Sequence, residues 1–518
     1  MKKFIAFLIL GVLLFLPQVT EAHATLIQST PSPNSQLKEA PNKVVLSFNE
    51  RLQRDLYYIK VYDSEGHLVS ESTTKMSPDH TQLSVGLKKL KNGTYTVSYH
   101  VISADGHPVE SSYLFQVGNG SDLLNRPAPE PANNGGQSGI AFSFYGIYEL
   151  FFLAFAGWIF IGVLRREWIH QQKAGWYQAL KLFFLISAVL LSLSDSYGAL
   201  SGLSGSQWGT YFFHTELGLI SLIRVLLAII GVLILQRFRW LDGLWVVGMI
   251  ALEAAVGHAA VFHPVPLTLV SDAVHLFAAA FWVGGLVFLL FHYKSHLKSF
   301  LPFFSNGAFI SLLILVVTGF VLTLLFSPDI SDVFKSDWGQ LLVVKVFVVL
   351  LVFLTAAIIR ERLKSRNPHA FKRWIKVDAA LMLILMIIVG ALTHLTPFPP
   401  NEPVYWKTDR EGCTIATSIY PTNPGTVQTI QVAVQCKDRK MTTAEMTLQE
   451  LNKEELAPFH IPLKLDSARS DDDHVSYFTA KGSYLTIPGK WQLKLTIYDR
   501  QDNYIEVGHS FEIYRVKP

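Results

Sequence analysis

Charge is scarce in this chain. Only 16% of its 518 residues are Asp, Glu, Lys or Arg, against about 25% in ordinary soluble proteins. That shortage argues against one large soluble enzyme and against a disordered chain. Cysteine is scarcer still, and two residues exclude both a disulfide-dense scaffold and a four-cysteine zinc site. No Gly-x4-Gly-Lys-Ser/Thr loop occurs, so the chain does not read as an ATP-driven pump. A net charge of +4 is too small to imply nucleic acid as a partner. No internal repeat of roughly 20–50 residues is found. What the chain does have is apolar residues, 50% of the total. Its mean hydropathy of +0.30 is too low for a protein that is all membrane. A membrane core carrying soluble domains is expected.

The first 22 residues read as an export signal. Lys2 and Lys3 precede an unbroken apolar run from Phe4 to Leu16, and Thr20-Glu21-Ala22 fits a small-x-small cleavage site. The run is short for a membrane span, although an uncleaved anchor is the alternative. Cleavage leaves His23 as the first mature residue, outside the cytoplasm.

Residues 23–118 hold short alternating runs, such as Lys43–Phe48, Tyr57–Tyr62 and Thr94–Ile102, and predict a small β-sandwich. Residues 119–141, with Pro127, Pro129 and Pro131, read as a linker. Residues 142–396 contain eight apolar stretches, near 142–164, 177–200, 215–236, 241–262, 270–292, 304–326, 340–359 and 377–396. Alternation returns in 401–518, at Thr429–Val434, Trp491–Tyr498 and Ser510–Arg515, with turns at Pro424-Gly425 and Pro488-Gly489. The expected fold is therefore a multi-domain membrane protein. It has an external β-sandwich, an all-α polytopic domain of eight helices and a second external β-sandwich.

Loop charges supply an independent orientation. The cytoplasmic loops and margins hold Arg165, Arg166, Lys173, Lys181, Arg237, Arg239, Lys294, Lys298 and seven Lys or Arg between Arg360 and Lys376. The three short external loops hold only Lys335. This asymmetry follows the positive-inside rule.

His23 at a new N-terminus can chelate an ion through its α-amine and imidazole together. Asp105 and His107 are two residues apart in Ser103-Ala104-Asp105-Gly106-His107-Pro108, so extended backbone points both to one side. This nitrogen and oxygen set suits tetragonal Cu(II), whereas Asp-Gly-His-Pro taken alone is a turn signal. Further residues carry a resemblance: His23-Ala24-Thr25-Leu26, Thr30-Pro31-Ser32-Pro33-Asn34, Leu46-Ser47-Phe48-Asn49-Glu50, and Phe115-Gln116-Val117. With the Asp105–His107 segment, they resemble the CopC family of extracytoplasmic copper-binding domains over residues 23–118. The resemblance implies a Cu(II) site at His23, Asp105 and His107. Met76 is the only methionine in this stretch, which speaks against a methionine-rich Cu(I) site. His67, His80 and His100 read as surface or core residues.

Ionisable groups inside apolar stretches are costly and usually functional. Glu149, Asp195, His214, Glu216, Arg224, Glu253, His258, His263, Asp272, His275, Lys345, Asp378 and His394 are the candidates. Asp272 and His275 are spaced for one helical face. With His258 they form a candidate membrane acceptor for copper, and unrelated interfacial histidines are the alternative. Arg224 and Lys345 are expected to pair with Glu253 or Asp378. Gly257-His258-Ala259, Ser271-Asp272-x-x-His275-Leu276, Phe281-Trp282-Val283-Gly284-Gly285-Leu286 and Trp338-Gly339-x5-Lys345 resemble the CopD family over residues 142–396. A CopC–CopD fusion implies copper import across the cytoplasmic membrane, with an extracytoplasmic copper chaperone as a candidate partner. The chain reads as a transporter and not an enzyme. A b-type cytochrome and a copper sensor or storage protein are the alternatives.

Cys413 and Cys436 lie in the external tail, where one disulfide is favoured over a thiolate copper site. Residues 401–518 faintly resemble the β domains called YtkA-like. An even number of spans predicts that protease added to intact protoplasts removes residues 401–518; protection of that tail would overturn the topology.

Overall fold

The computed structural model describes residues 24–514 except 34, 38, 72, 105–107, 119–137, 169–174, 201–207, 292–296, 327–332, 365–367, 394, 396, 398, 400, 454–455, 468–469 and 471–474. The signal segment 1–22, most of the linker and His394 lie outside the described residues. The chain forms two compact units, one built on the helices and one holding both β domains.

The first β domain is a sandwich of two four-stranded sheets. One runs β1 (Leu26–Thr30), β3 (Lys43–Phe48), β6 (Gln82–Gly86), β5 (Lys75–Met76); the other runs β2 (Gln36–Leu37), β8 (Pro108–Val117), β7 (Gly93–Ile102), β4 (Tyr58–Tyr62). Alternation explains the packing: Val44, Leu46 and Phe48 of β3 turn inward against Val97, Val101 and Phe115. Strand β1 is an edge strand with a bulge. Leu26 pairs with Phe48 and Gln28 with Ser47, so Ile27 is the extra residue.

The second β domain departs from the expected two-sheet sandwich. Its eight strands are β9 (Val404–Arg410), β10 (Cys413–Tyr420), β11 (Gln428–Cys436), β12 (Met441–Glu450), β13 (Phe459–Leu465), β14 (Val475–Gly482), β15 (Gly489–Asp499) and β16 (Tyr504–Ile513). They form one continuous sheet in the order β16-β15-β12-β13-β14-β11-β10-β9. Strand β13 makes this possible, because Phe459–Leu463 pair with β12 whereas Lys464 and Leu465 pair with β14. The sheet therefore curls around one core and becomes nearly a barrel. Its ends approach where Trp406 of β9 stacks on His509 of β16, with ring centroids 5.1 Å apart.

The helical unit contains α1 (Ser138–Leu164), α2 (Gly175–Leu200), α3 (Trp208–His214), α4 (Glu216–Leu233), α5 (Arg239–Ala254), α6 (His258–Val261), α7 (Val265–Phe291), α8 (Leu297–Phe326), α9 (Asp337–Lys364) and α10 (Pro368–Leu392). Among the described residues, seven helices are long and apolar enough to cross a membrane: α1, α2, α4, α7, α8, α9 and α10. The chain is a multi-pass membrane protein. The expected fourth span, 241–262, is not one helix. Helix α5 has 16 residues and stops before Gly257, whose φ of +79° is the left-handed conformation that ends helices. Helix α7 starts at Val265, earlier than expected, because Pro266 falls in a first turn where its missing N–H is not needed. Gly157 of α1 and Gly284 of α7 face each other so closely that either Cβ would overlap the opposing backbone. This small-residue crossing places α7 against the centre of the unit.

Cys413 and Cys436 oppose each other in the β10–β11 register and are joined as a disulfide. Cys413→Ala/Cys436→Ala is expected to destabilise this β domain by about 3 kcal/mol. Hydrogen exchange of β10 and β11 in the intact chain should rise; unchanged protection would contradict this.

Candidate metal centres

His23, Asp105 and His107 lie outside the described residues, but the residues flanking them are described. After His23, Ala24 is buried at 3% exposure. The Thr25 N–H donates to Asn49 Oδ1 at 2.7 Å, and the Asn49 N–H donates back to the Thr25 carbonyl at 3.1 Å. Before Asp105, Ser103 is buried and bridges to Leu52, and the Gln53 N–H donates to the Ile102 carbonyl at 2.9 Å. One short segment, 49–53, thus holds both flanks. Asn49 and Leu52 are separated by at most about 11 Å of extended chain. His100, further back on β7, is buried; its Nδ1 lies 2.9 Å from Glu110 Oε1, and its ring stacks on Tyr58.

In the helical unit, His258 is the first residue of α6, and its side chain lies outside the described residues. Asp272 and His275 sit three residues apart on α7. They lie two to three turns into that helix, deeper than expected from a start at 270. His275 Nδ1 is 2.8 Å from Thr318 Oγ1 of α8. The Thr318 hydroxyl donates to the Ile314 carbonyl at 2.7 Å, so its oxygen accepts from His275. That pattern puts the imidazole proton on Nδ1 and leaves the Nε2 lone pair available to a metal ion. Asp272 interacts electrostatically with Lys345 of α9, and Lys345 also interacts with Glu149 of α1. Lys345 therefore lies in the field of Asp272 and Glu149, whereas Asp378 Oδ1 accepts from Thr355 Oγ1 at 2.6 Å. His263 is exposed between α6 and α7. Among the described residues, no group of three or more His, Cys, Asp or Glu is arranged to hold a metal ion. Thr318 and the Glu149–Lys345–Asp272 grouping are what sequence reasoning missed. A threonine in an apolar helix carries no signal, and partner choice among lone charges is set only by packing.

A second polar group ties four helices together. Arg224 of α4 is fully buried; its Nε donates to Glu253 Oε1 of α5 at 3.1 Å and its Nη1 to Asp195 Oδ2 of α2 at 3.3 Å. Tyr148 of α1 donates its hydroxyl to Glu253 Oε1 at 2.6 Å, and its ring lies 5.4 Å from the guanidinium carbon. One guanidinium is shared by two carboxylates, and a phenol covers it.

Fold and site together define a multi-pass membrane protein fused to a two-sheet β domain in which one segment, 49–53, holds both Thr25 and the end of β7. The CopC domain family matches residues 26–118, and the family described as copper resistance protein D matches residues 298–392. Copper transport protein CutJ of Bacillus subtilis (strain 168) is 28% identical over 457 residues, 80% of this chain and 82% of that protein. Protein YobA of Escherichia coli (strain K12) is 36% identical over 98 residues, 18% of this chain and 79% of that protein. The crystal structure of CopC from Methylosinus trichosporium OB3b is 28% identical and covers 19% of this chain and 98% of that one, at a TM-score of 0.17. The chain belongs to the CopC–CopD fusion family of copper proteins.

Arg224→Gln leaves Glu253 and Asp195 buried without their cation, a loss expected to cost about 3–5 kcal/mol. Arg224→Lys should recover only part, because an ammonium cannot reach both carboxylates as a planar fork does. Thermal unfolding of the detergent-solubilised chain checks both; a wild-type midpoint for Arg224→Gln would contradict this.

Proposed function

We propose that the chain acquires copper, binding Cu(II) outside the cell through its first domain and importing copper across the cytoplasmic membrane. The observation that carries the reading is the shared anchorage of the two flanks, Thr25 on Asn49 and Ile102 on Gln53. It supports a site in which the His23 amine and imidazole meet Asp105 and His107. The family relationship and the name of the Bacillus subtilis relative, a copper transport protein, point the same way.

In this reading α5 and α6 together make the eighth crossing. A 16-residue helix spans about 24 Å, short of a hydrocarbon core of about 30 Å. The four residues of α6 extend it. Eight crossings return the chain to the side on which it began, so both β domains are extracytoplasmic. The arginine- and lysine-rich segments then face the cytoplasm.

Copper released from the first domain is accepted by His275 and Asp272, with His258 as the third group. A cation passing inward sheds water, and imidazole and carboxylate replace that shell. Lys345, whose charge acts on Asp272, lies within the field of this acceptor. A negative-inside potential contributes about 2.3 kcal/mol per positive charge per 100 mV. A copper chaperone outside the cell is a fitting donor.

Two outcomes test the proposal. Adding one Ala before His23 in the mature chain removes the chelating amine and should weaken Cu(II) binding strongly; unchanged affinity would refute the site. His275→Ala should abolish copper uptake by cells while leaving Cu(II) binding by the first domain intact. Normal uptake by a His258→Ala/His275→Ala variant at normal expression would refute the membrane acceptor.

A further inference from the structure

Neither matched family region covers residues 401–518, yet this domain packs on the first β domain within one compact unit. Two residues of its β10–β11 end make the contact. Asn423 is buried at 6% exposure, and its Nδ2 donates to the Ile27 carbonyl at 3.1 Å. Ile27 is the bulged residue of β1, outside the regular register with β3. A bulge withdraws backbone groups from the ladder, and they need another partner when covered. Asn423 supplies it.

The amide is itself held in place. Asn423 Oδ1 accepts from Asn401 Nδ2 at 3.2 Å; Asn401 Nδ2 also donates to the Tyr514 carbonyl at 2.8 Å, and Asn401 Oδ1 accepts from the Tyr514 N–H at 2.7 Å. Tyr420, three residues before Asn423, lies beside Ser29 of β1 and in the field of Tyr99 and Tyr113. Burial pushes its phenol up to about 12. Tyr113 donates its hydroxyl to the Pro31 carbonyl at 3.1 Å, just past the end of β1. Ser29 Oγ lies beside the phenols without hydrogen-bond geometry to either. Strand β1 is thus bonded at Ile27 by the other β domain and at Thr25 by Asn49 of its own.

We propose that the C-terminal β domain is a clamp on strand β1, and that Asn423 and Tyr420 are positioning residues for the N-terminal copper ligand His23, four residues before Ile27. This rests on the reading of His23 as a Cu(II) ligand. An edge strand three residues past a free N-terminus frays unless tied down. A chelating amine on a frayed strand loses entropy on each binding event, and one on a clamped strand has lost it in advance. The chain of bonds Asn401–Asn423–Ile27 also begins nine residues after α10 ends.

The test uses the full chain in detergent. Cu(II) affinity by chelator competition, the Cu(II) electron paramagnetic resonance spectrum, and hydrogen exchange are measured for wild type, His23→Ala, Asn423→Ala, Asn423→Asp and Tyr420→Ala. Asn423→Asp keeps the side-chain shape but sets an acceptor against the Ile27 carbonyl. The clamp predicts that Asn423→Ala and Asn423→Asp weaken Cu(II) about tenfold or more, as loss of an orienting partner does. It also predicts a spectrum with less nitrogen ligation and faster exchange in β1, with β10–β16 still protected. Tyr420→Ala should act in the same direction. Faster exchange in β1 with wild-type affinity and spectrum would overturn the clamp while leaving the His23 site standing. Unchanged binding by His23→Ala would overturn the site reading, and the clamp with it.

Discussion

Hydrocarbon tolerates an ionised group only beside its counter-charge, and the helical unit is arranged around that constraint. Arg224 is the deepest case: fully buried, it draws Glu253 and Asp195 from two other helices and lies over Tyr148 of a third. Arg224 thereby pins four helices together. Lys345 lies in the electrostatic field of Asp272 and Glu149. The apolar stretches themselves could slide or rotate against one another at little cost, since lipid and leucine are alike to them. The polar pairs, with the close crossing of Gly157 and Gly284, remove that freedom.

The proposed copper acceptor draws on the same arrangement. Thr318 fixes the proton of His275 on Nδ1 and so presents Nε2. Lys345 of α9 lies in the electrostatic field of Asp272. In the β unit the logic is different, because water is present and the difficulty is entropy rather than charge. There Asn49 and Asn423 hold strand β1 at Thr25 and Ile27, and Tyr113 bonds the Pro31 carbonyl just past its end.

Much of this was legible from the residues alone. Alternation in Lys43–Phe48 marked a half-buried strand, and long apolar runs marked seven spanning helices, although several begin five to nine residues earlier than expected, as at Leu297 and Pro368. Isolated charges in those runs announced polar contacts, and Arg224 does pair with Glu253. Other features were not legible. The curl of the last domain depends on β13 changing partners between Leu463 and Lys464, which alternation along one strand cannot reveal. The break after α5 follows from one glycine conformation within an otherwise apolar stretch. Partner choice for Lys345 among several carboxylates is a matter of helix packing. Asn423 reads as an ordinary turn residue until its bond to Ile27 is seen, because its partner is 396 residues away in sequence.

The most direct measurement is uptake of radioactive copper into sealed right-side-out vesicles carrying the intact chain. The account predicts copper that accumulates inside, resists removal by an external impermeant chelator, and increases with a negative-inside potential. Copper that stays entirely removable by the chelator, with the protein present and its Cu(II) site filled, would show binding without transport and contradict the account.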